Sequence, residues 1–187
     1  SVKTSSNDTT ATAAQEAALD AELPANGRND LHNAPQWAQS LVKRAEQFQG
    51  VRYKYGGTSP QTGFDCSGFV GYVYKQYGVE LPRDSRSQLK SLKSVKANEL
   101  KPGDLVFYRV STSPTGSHAA IYIGNGQIIH ASPRARKVVI ADMHDSYFTK
   151  RYVGAGRINM AEQQVVLQNI PATAPVTKNG GKKARLM

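Results

Sequence analysis

Apolar residues recur every three or four positions from Trp37 through Leu41 and Ala45 to Phe48, with Pro35 in front and Gly50 behind. This period predicts one amphipathic helix. A glycine-containing loop follows (Gly56, Gly57, Pro60, Gly63). Phe69, Val70, Val73, Tyr74 and Tyr77 then predict a second helix that stops at Gly78. Asp84 or Ser85 suits the cap of a third, short helix that carries Leu89 and Leu92. After Pro102 and Gly103 the pattern changes to short runs rich in β-branched and aromatic residues: Leu105 to Tyr108, Ala119 to Ile123, Ile128 to Ala131, Val138 to Ile140 and Tyr152 to Ile158. Helices first and strands second predict an α+β domain, with N-terminal helices packed on one antiparallel sheet of about five strands.

The flanks lack this patterning. Residues 1–33 are rich in Ser, Thr, Ala, Asn and Asp and contain no Phe, Tyr or Trp. Such a composition buries too little surface to offset the cost of ordering, so a flexible N-terminal tail is expected, with at most a transient helix in its alanine-rich part. A Gln-, Pro- and Lys-rich segment, 161–187, is expected to be a second, basic tail. Residues 34–160 are then the single folded domain, in keeping with a chain of 187 residues. No run approaches the roughly 18 apolar residues of a membrane span.

Charge and cysteine content narrow the chemistry. The chain carries a net charge of +10. Residues 1–33 hold two basic and five acidic side chains and 159–187 hold four and one, so the excess belongs to the domain. A basic surface attracts polyanions. Nucleic acid has only charge in its favour, since no recognition motif accompanies it. The single cysteine, Cys66, excludes an internal disulfide. It follows Asp65 at the start of the second helix, where backbone N–H groups and the helix dipole favour a thiolate; a small buried core residue is the competing reading. Asp65 is a suitable N-cap, and Ser67 and Gly68 leave room for an approach to the sulfur.

A thiol that attacks a carbonyl needs a base. Of four histidines, His32 lies in the expected tail and His144 in a polar loop, whereas His118 opens one strand and His130 closes the next. The two share a face only if the hairpin register is right. A two-residue Asn125-Gly126 turn alone would pair Ile121 with His130 and separate them; a three-residue loop with a bulge and Gly126 left-handed would pair Ala120 with His130 and unite them. The second arrangement is expected. His118 is then the base and His130 holds its other ring nitrogen. A zinc site is disfavoured, because the two histidines lack the short paired spacing of such sites; no metal or other cofactor is expected.

These pieces together resemble the NlpC/P60 family of papain-like cell-wall peptidases. The resemblance runs in order through "RYKYGG" at 52–57, "FDCSGFV" at 64–70, "LPRDS" at 81–85, "LKPGDLVFY" at 100–108, "SHAAIYIGNGQIIHAS" at 117–132 and "RYVGAGRI" at 151–158. It implies a papain-like fold, a Cys66 nucleophile, a His118 base and a polar third member at His130. Tyr53 resembles the family tyrosine beside the nucleophile, and Asp65, Ser67, Ser117 and Arg83 are candidates for the oxyanion and substrate sites. The implied activity is cleavage of peptidoglycan stem peptides or cross-links at D-Glu–diaminopimelate or diaminopimelate–D-Ala bonds, by an exported monomer in the periplasm or outside the cell. Contact with anionic envelope polymers would rest on the basic surface. Carboxylates on these peptides suit Arg52, Arg83, Arg86 or Arg134. The pair Ala119-Ala120 departs from the valine or isoleucine and glycine usual after the histidine. An amidase, deamidase or acyltransferase on another acyl donor, or a non-catalytic wall-binding module, are the alternatives.

Overall fold

The structure is a computed structural model that describes residues 12–110 and 113–160. Residues 1–11 and the expected tail 161–187 lie outside the described residues. Among the described residues there are five α-helices: α1 Ala13–Glu22, α2 Gln36–Glu46, α3 Cys66–Lys75, α4 Ser85–Ser91 and α5 Ser146–Thr149. Side-chain caps start most of them. Thr12, Asp65, Asp84 and Asp145 each accept a backbone N–H of the first turn of α1, α3, α4 and α5, satisfying donors that a helix cannot pair internally. Pro35 opens α2, where its fixed φ suits a helix start.

A two-stranded ribbon, β1 Thr58–Ser59 with β2 Gly63–Phe64, precedes α3. The main sheet has six strands: β3 Lys93–Val95, β4 Leu105–Val110, β5 Ser113–Gly124, β6 Gln127–Ser132, β7 Lys137–Asp142 and β8 Tyr152–Arg157. Their order is β3-β8-β4-β5-β6-β7, and every pair is antiparallel. The sequence reading expects five strands. The sixth, β3, is a three-residue edge of Lys, Ser and Val, too short and polar to show a strand period.

Both faces of the sheet are buried. Leu105, Phe107, Ile121 and Ile129 join Leu41, Phe48, Phe69 and Val73 from α2, α3 and the chain between them. On the other face Val106, Tyr108, Tyr122 and Ile128 join Leu23, Met143 and Phe148. Near-continuous apolar strands such as Leu105 to Tyr108 follow from burial on both sides.

The second face corrects the reading of residues 12–33 as a flexible tail. α1 is closed by a capping box between Thr12 and Gln15, and Leu23 is 5% exposed within the second core. Beyond it, Asp30 accepts the Tyr122 hydroxyl at 2.7 Å and the Asn125 N–H at 2.8 Å, and Asn26 donates to Asp142 at 2.9 Å. Leu19, Leu23, Leu31 and a few polar side chains anchor the segment, which a count of apolar content overlooks.

His144, which falls in a turn as expected, joins this strap to the domain. Its Nδ1 lies 2.7 Å from an Asp20 carboxylate oxygen and its Nε2 2.8 Å from the Pro24 carbonyl. Both partners only accept, so the ring satisfies both only as the imidazolium. Burial pulls its pKa down, but the Pro24 carbonyl and the Asp20 and Asp142 carboxylates outweigh this and raise it. A raised histidine pKa adds stability that is complete below the unfolded value of about 6.5 and is lost as pH rises through the folded value. Amide exchange of residues 12–33, corrected for intrinsic rates, should therefore accelerate relative to the sheet as pH rises from about 6.5, and Asp20→Asn should shrink that acceleration.

Candidate active site

The hairpin between β5 and β6 sets the site. Gly124 pairs with Gln127, so Asn125 and Gly126 form a two-residue turn with φ of 59° and 69°, the left-handed pair that matches strand twist. A bulge between Tyr122 and Gly124 then shifts the register to Ile121 opposite Ile129, which carried one residue further sets Ala120 beside His130. The expected outcome holds, but by another route: the extra residue lies in the strand, not in a three-residue loop.

His118 and His130 consequently share a face. His118 Nε2 and His130 Nδ1 are 2.7 Å apart, with the rings at 86°. His130 is 5% exposed and meets Phe148 edge-on at 5.6 Å. Phe148, fixed by the short α5, is a contributor that strand periodicity did not reveal. Burial lowers the pKa of His118 to about 4; burial and then His118 lower that of His130 to about 3. Both rings are neutral at neutral pH, and one N–H bridges them.

Cys66 is the first residue of α3. Asp65 caps this helix by accepting the Gly68 N–H at 2.7 Å and is gripped by both arms of Arg83, at 3.1 and 2.7 Å. Arg83 also donates to the Ser67 hydroxyl at 2.9 Å. The fork expected to meet substrate is thus engaged within the protein, although half of the Arg83 side chain remains exposed. Ser117 is likewise hydrogen-bonded through its hydroxyl to Ser85. Buried Gln88 donates to the carbonyls of Ser67 and Pro82 and ties α3 to the loop before α4; the polar stretch around it gave no sign of this. Arg52 donates to the Thr62 carbonyl and Arg134 lies over the Tyr147 ring.

The sulfur meets the edge of β5. Pairing of β5 with β6 ends at Ile121, and beyond it Cys66 Sγ lies 4.0 Å from the Ser117 carbonyl oxygen and within hydrogen-bonding reach of the Ala119 N–H. These two residues flank His118. Burial pushes the Cys66 thiol pKa up, Asp65 adds to this, and N–H groups of Ala119, Ser67 and Cys66 itself oppose it. The helix end expected to hold a thiolate is present, but desolvation outweighs it, so the resting thiol is protonated. Tyr53 is half-buried, and its phenol is raised by burial and then by Cys66 and Asp65, which keeps its O–H available to donate. Among the described residues no cluster of three or more His, Cys, Asp or Glu is placed to hold a metal.

Residues 50–157 match the sequence profile of the NlpC/P60 family. The chain is 43% identical over 119 residues to the murein DD-endopeptidase MepS/murein LD-carboxypeptidase of Escherichia coli strain K12, covering 63% of this chain and 61% of that protein. It is 35% identical over 138 residues to the gamma-DL-glutamyl hydrolase of Bacillus subtilis strain 168, covering 73% of this chain and 33% of that one. It therefore spans between one third and about three fifths of these relatives' lengths. The crystal structure of a NlpC/P60 family protein from Bacillus cereus superposes with a TM-score of 0.59 at 36% identity, over 64% of this chain and 39% of that one.

Two outcomes follow from this geometry. The rate of Cys66 alkylation by iodoacetamide should rise with pH through an apparent pKa above the ordinary thiol value of about 8.5; a rate already level at about pH 6 would contradict a protonated resting thiol. A Cβ at Gly68 would collide with the Gly57 carbonyl oxygen, so Gly68→Ala should cost about 1–3 kcal/mol in denaturant unfolding.

Proposed function

The chain belongs to the NlpC/P60 family, and on that premise we propose that it is a cysteine endopeptidase of bacterial peptidoglycan, with Cys66 as nucleophile, His118 as base and His130 as the residue that orients His118. One observation carries the reading: the sulfur rests against the strand backbone on either side of His118, while the far nitrogen of that ring is held by His130 at 2.7 Å.

In this reading thiol and imidazole begin neutral. As the sulfur attacks the scissile carbonyl, its proton passes to His118, and the two opposite charges that form offset the burial that disfavours each alone. The Cys66 N–H and the Tyr53 hydroxyl donate to the oxyanion. His118 then gives its proton to the departing amine as the C–N bond breaks. Water attacks the thioester with His118 again as base, and the thiol is restored. Asp65, Ser67, Arg83 and Ser117 hold the sulfur's helix and the strand edge in register, and the exposed part of Arg83 remains available to a peptide carboxylate.

The substrate is a stem peptide or cross-link cut beside a D-residue, D-Glu–diaminopimelate or diaminopimelate–D-Ala, in the cell envelope. The names of the relatives, which span a γ-DL-glutamyl bond and DD and LD bonds, support that class. The domain's positive charge favours such carboxylate-bearing polymers. No helix among the described residues is long and apolar enough to cross a membrane.

Incubation with purified muropeptides, followed by mass, should release fragments cut at one of these bonds. Cys66→Ala should abolish cleavage, and His118→Ala should lower kcat by about 10²–10⁴-fold. No cleavage by the unaltered protein, or equal cleavage by Cys66→Ala, would refute the reading.

A further inference from the structure

A cavity of about 410 Å³ opens beside the two imidazoles, within the range of roughly 300–1,000 Å³ usual for small-molecule sites. His118, His130, Ser132, Arg134, Tyr147 and Phe148 are among its walls, and Cys66 is not. No Asp or Glu lines it, whereas Arg109 and Arg134 do; Arg151 is not among its walls.

The charge at one end is concentrated on a single ring. The guanidinium carbon of Arg134 lies 4.0 Å from the Tyr147 centroid and that of Arg151 lies 3.9 Å from it. Arg151 is partly occupied, donating to the Tyr147 carbonyl. Among the described residues Arg134 makes no hydrogen bond or ion pair; the ring holds its flat face and leaves its N–H edge unused. Tyr108, which also lines the cavity, has its hydroxyl buried without a hydrogen-bond partner among the described residues. Two like charges gathered on one aromatic, with no acid in the wall, suit an anionic ligand with planar oxygens.

Resting on the peptidase reading above, we propose that this cavity receives the amine-side part of the peptide and that Arg134, stacked on Tyr147, binds its carboxylate. The chemistry gives the direction. His118 must reach the nitrogen that leaves, so the amine-side fragment extends on the imidazole side of the scissile bond, and the cavity begins at those imidazoles. That fragment ends in a free carboxylate, the group a guanidinium fork pairs with two-pronged. The apolar floor of Val139, Ala141 and Phe148 packs the aliphatic part of the residue that carries it. Arg134 is thereby a specificity residue and takes no part in bond making.

The test uses two peptide substrates that differ only in whether the amine-side carboxylate is free or amidated. The unaltered protein should favour the free acid. Arg134→Gln should raise KM for it by about tenfold, the loss expected of one charge-assisted hydrogen bond, with kcat little changed and with no effect on the amide. Equal effects on both substrates, or none, would overturn the assignment. Turnover is not needed for a second readout: the free dipeptide acid of the amine side should bind Cys66→Ala and bind the Cys66→Ala, Arg134→Gln double variant at least about tenfold more weakly. Equal binding to both, or no binding to Cys66→Ala, overturns the subsite even where cleavage occurs. Binding with no cleavage by the unaltered protein supports the subsite and refutes the peptidase reading.

Discussion

Side chains alternate across a strand, so a single residue inserted in β5 decides which face of the sheet His118 occupies relative to His130. The Asn125-Gly126 turn by itself would put the two imidazoles on opposite faces. The bulge at Tyr122 to Gly124 reverses that parity, and the 2.7 Å contact between the rings depends on it. Both faces of this part of the sheet are buried, so a slip in register would expose one core and bury the polar residues of the other. The packing of the whole domain thus enforces the placement of one hydrogen bond. The strap of residues 12–33 reinforces the same corner, because Asp30 grips Tyr122 and Asn125 at the two ends of the bulge and turn.

Burial shapes the chemistry as strongly as position does. The same desolvation that lowers His118 and His130 raises Cys66, and the proton stays on sulfur at rest. The thiolate is the form that oxidises, so a protonated resting thiol protects the chain's single cysteine. In the proposed reaction, charge develops only when a substrate carbonyl arrives to share it. Rigid surroundings then matter more than a pre-formed ion pair: Phe48, Phe64, Phe69 and Tyr72 pack mostly edge to face beneath the start of α3, and Arg83 locks its cap.

Much of this was legible in the sequence. The helix that carries Cys66, its Asp65 cap and the pairing of His118 with His130 follow from spacing and parity, because strongly periodic segments report their buried face directly. The bulge's position did not, since Ile123 and Gly124 look alike to a pattern of alternation. Residues 12–33 dock through particular polar pairs such as Asp20 with His144, and composition carries no record of partners over a hundred residues away. The sequence offers Arg83 as a candidate substrate-site cation and not as the partner of Asp65, a pairing made only when the loop before α4 folds back. Arg134 gained its setting from Tyr147 on α5, an element of four residues without a readable period.

The shared proton between the two imidazoles is the most direct point of test. Ring ¹⁵N chemical shifts of His118 and His130, followed by NMR across pH, should show two neutral rings with one donating and one accepting nitrogen facing each other, unchanged until the pH falls toward about 4. Two rings that titrate independently near the ordinary value of about 6.5 would contradict the account, because the hairpin would then not be holding them together.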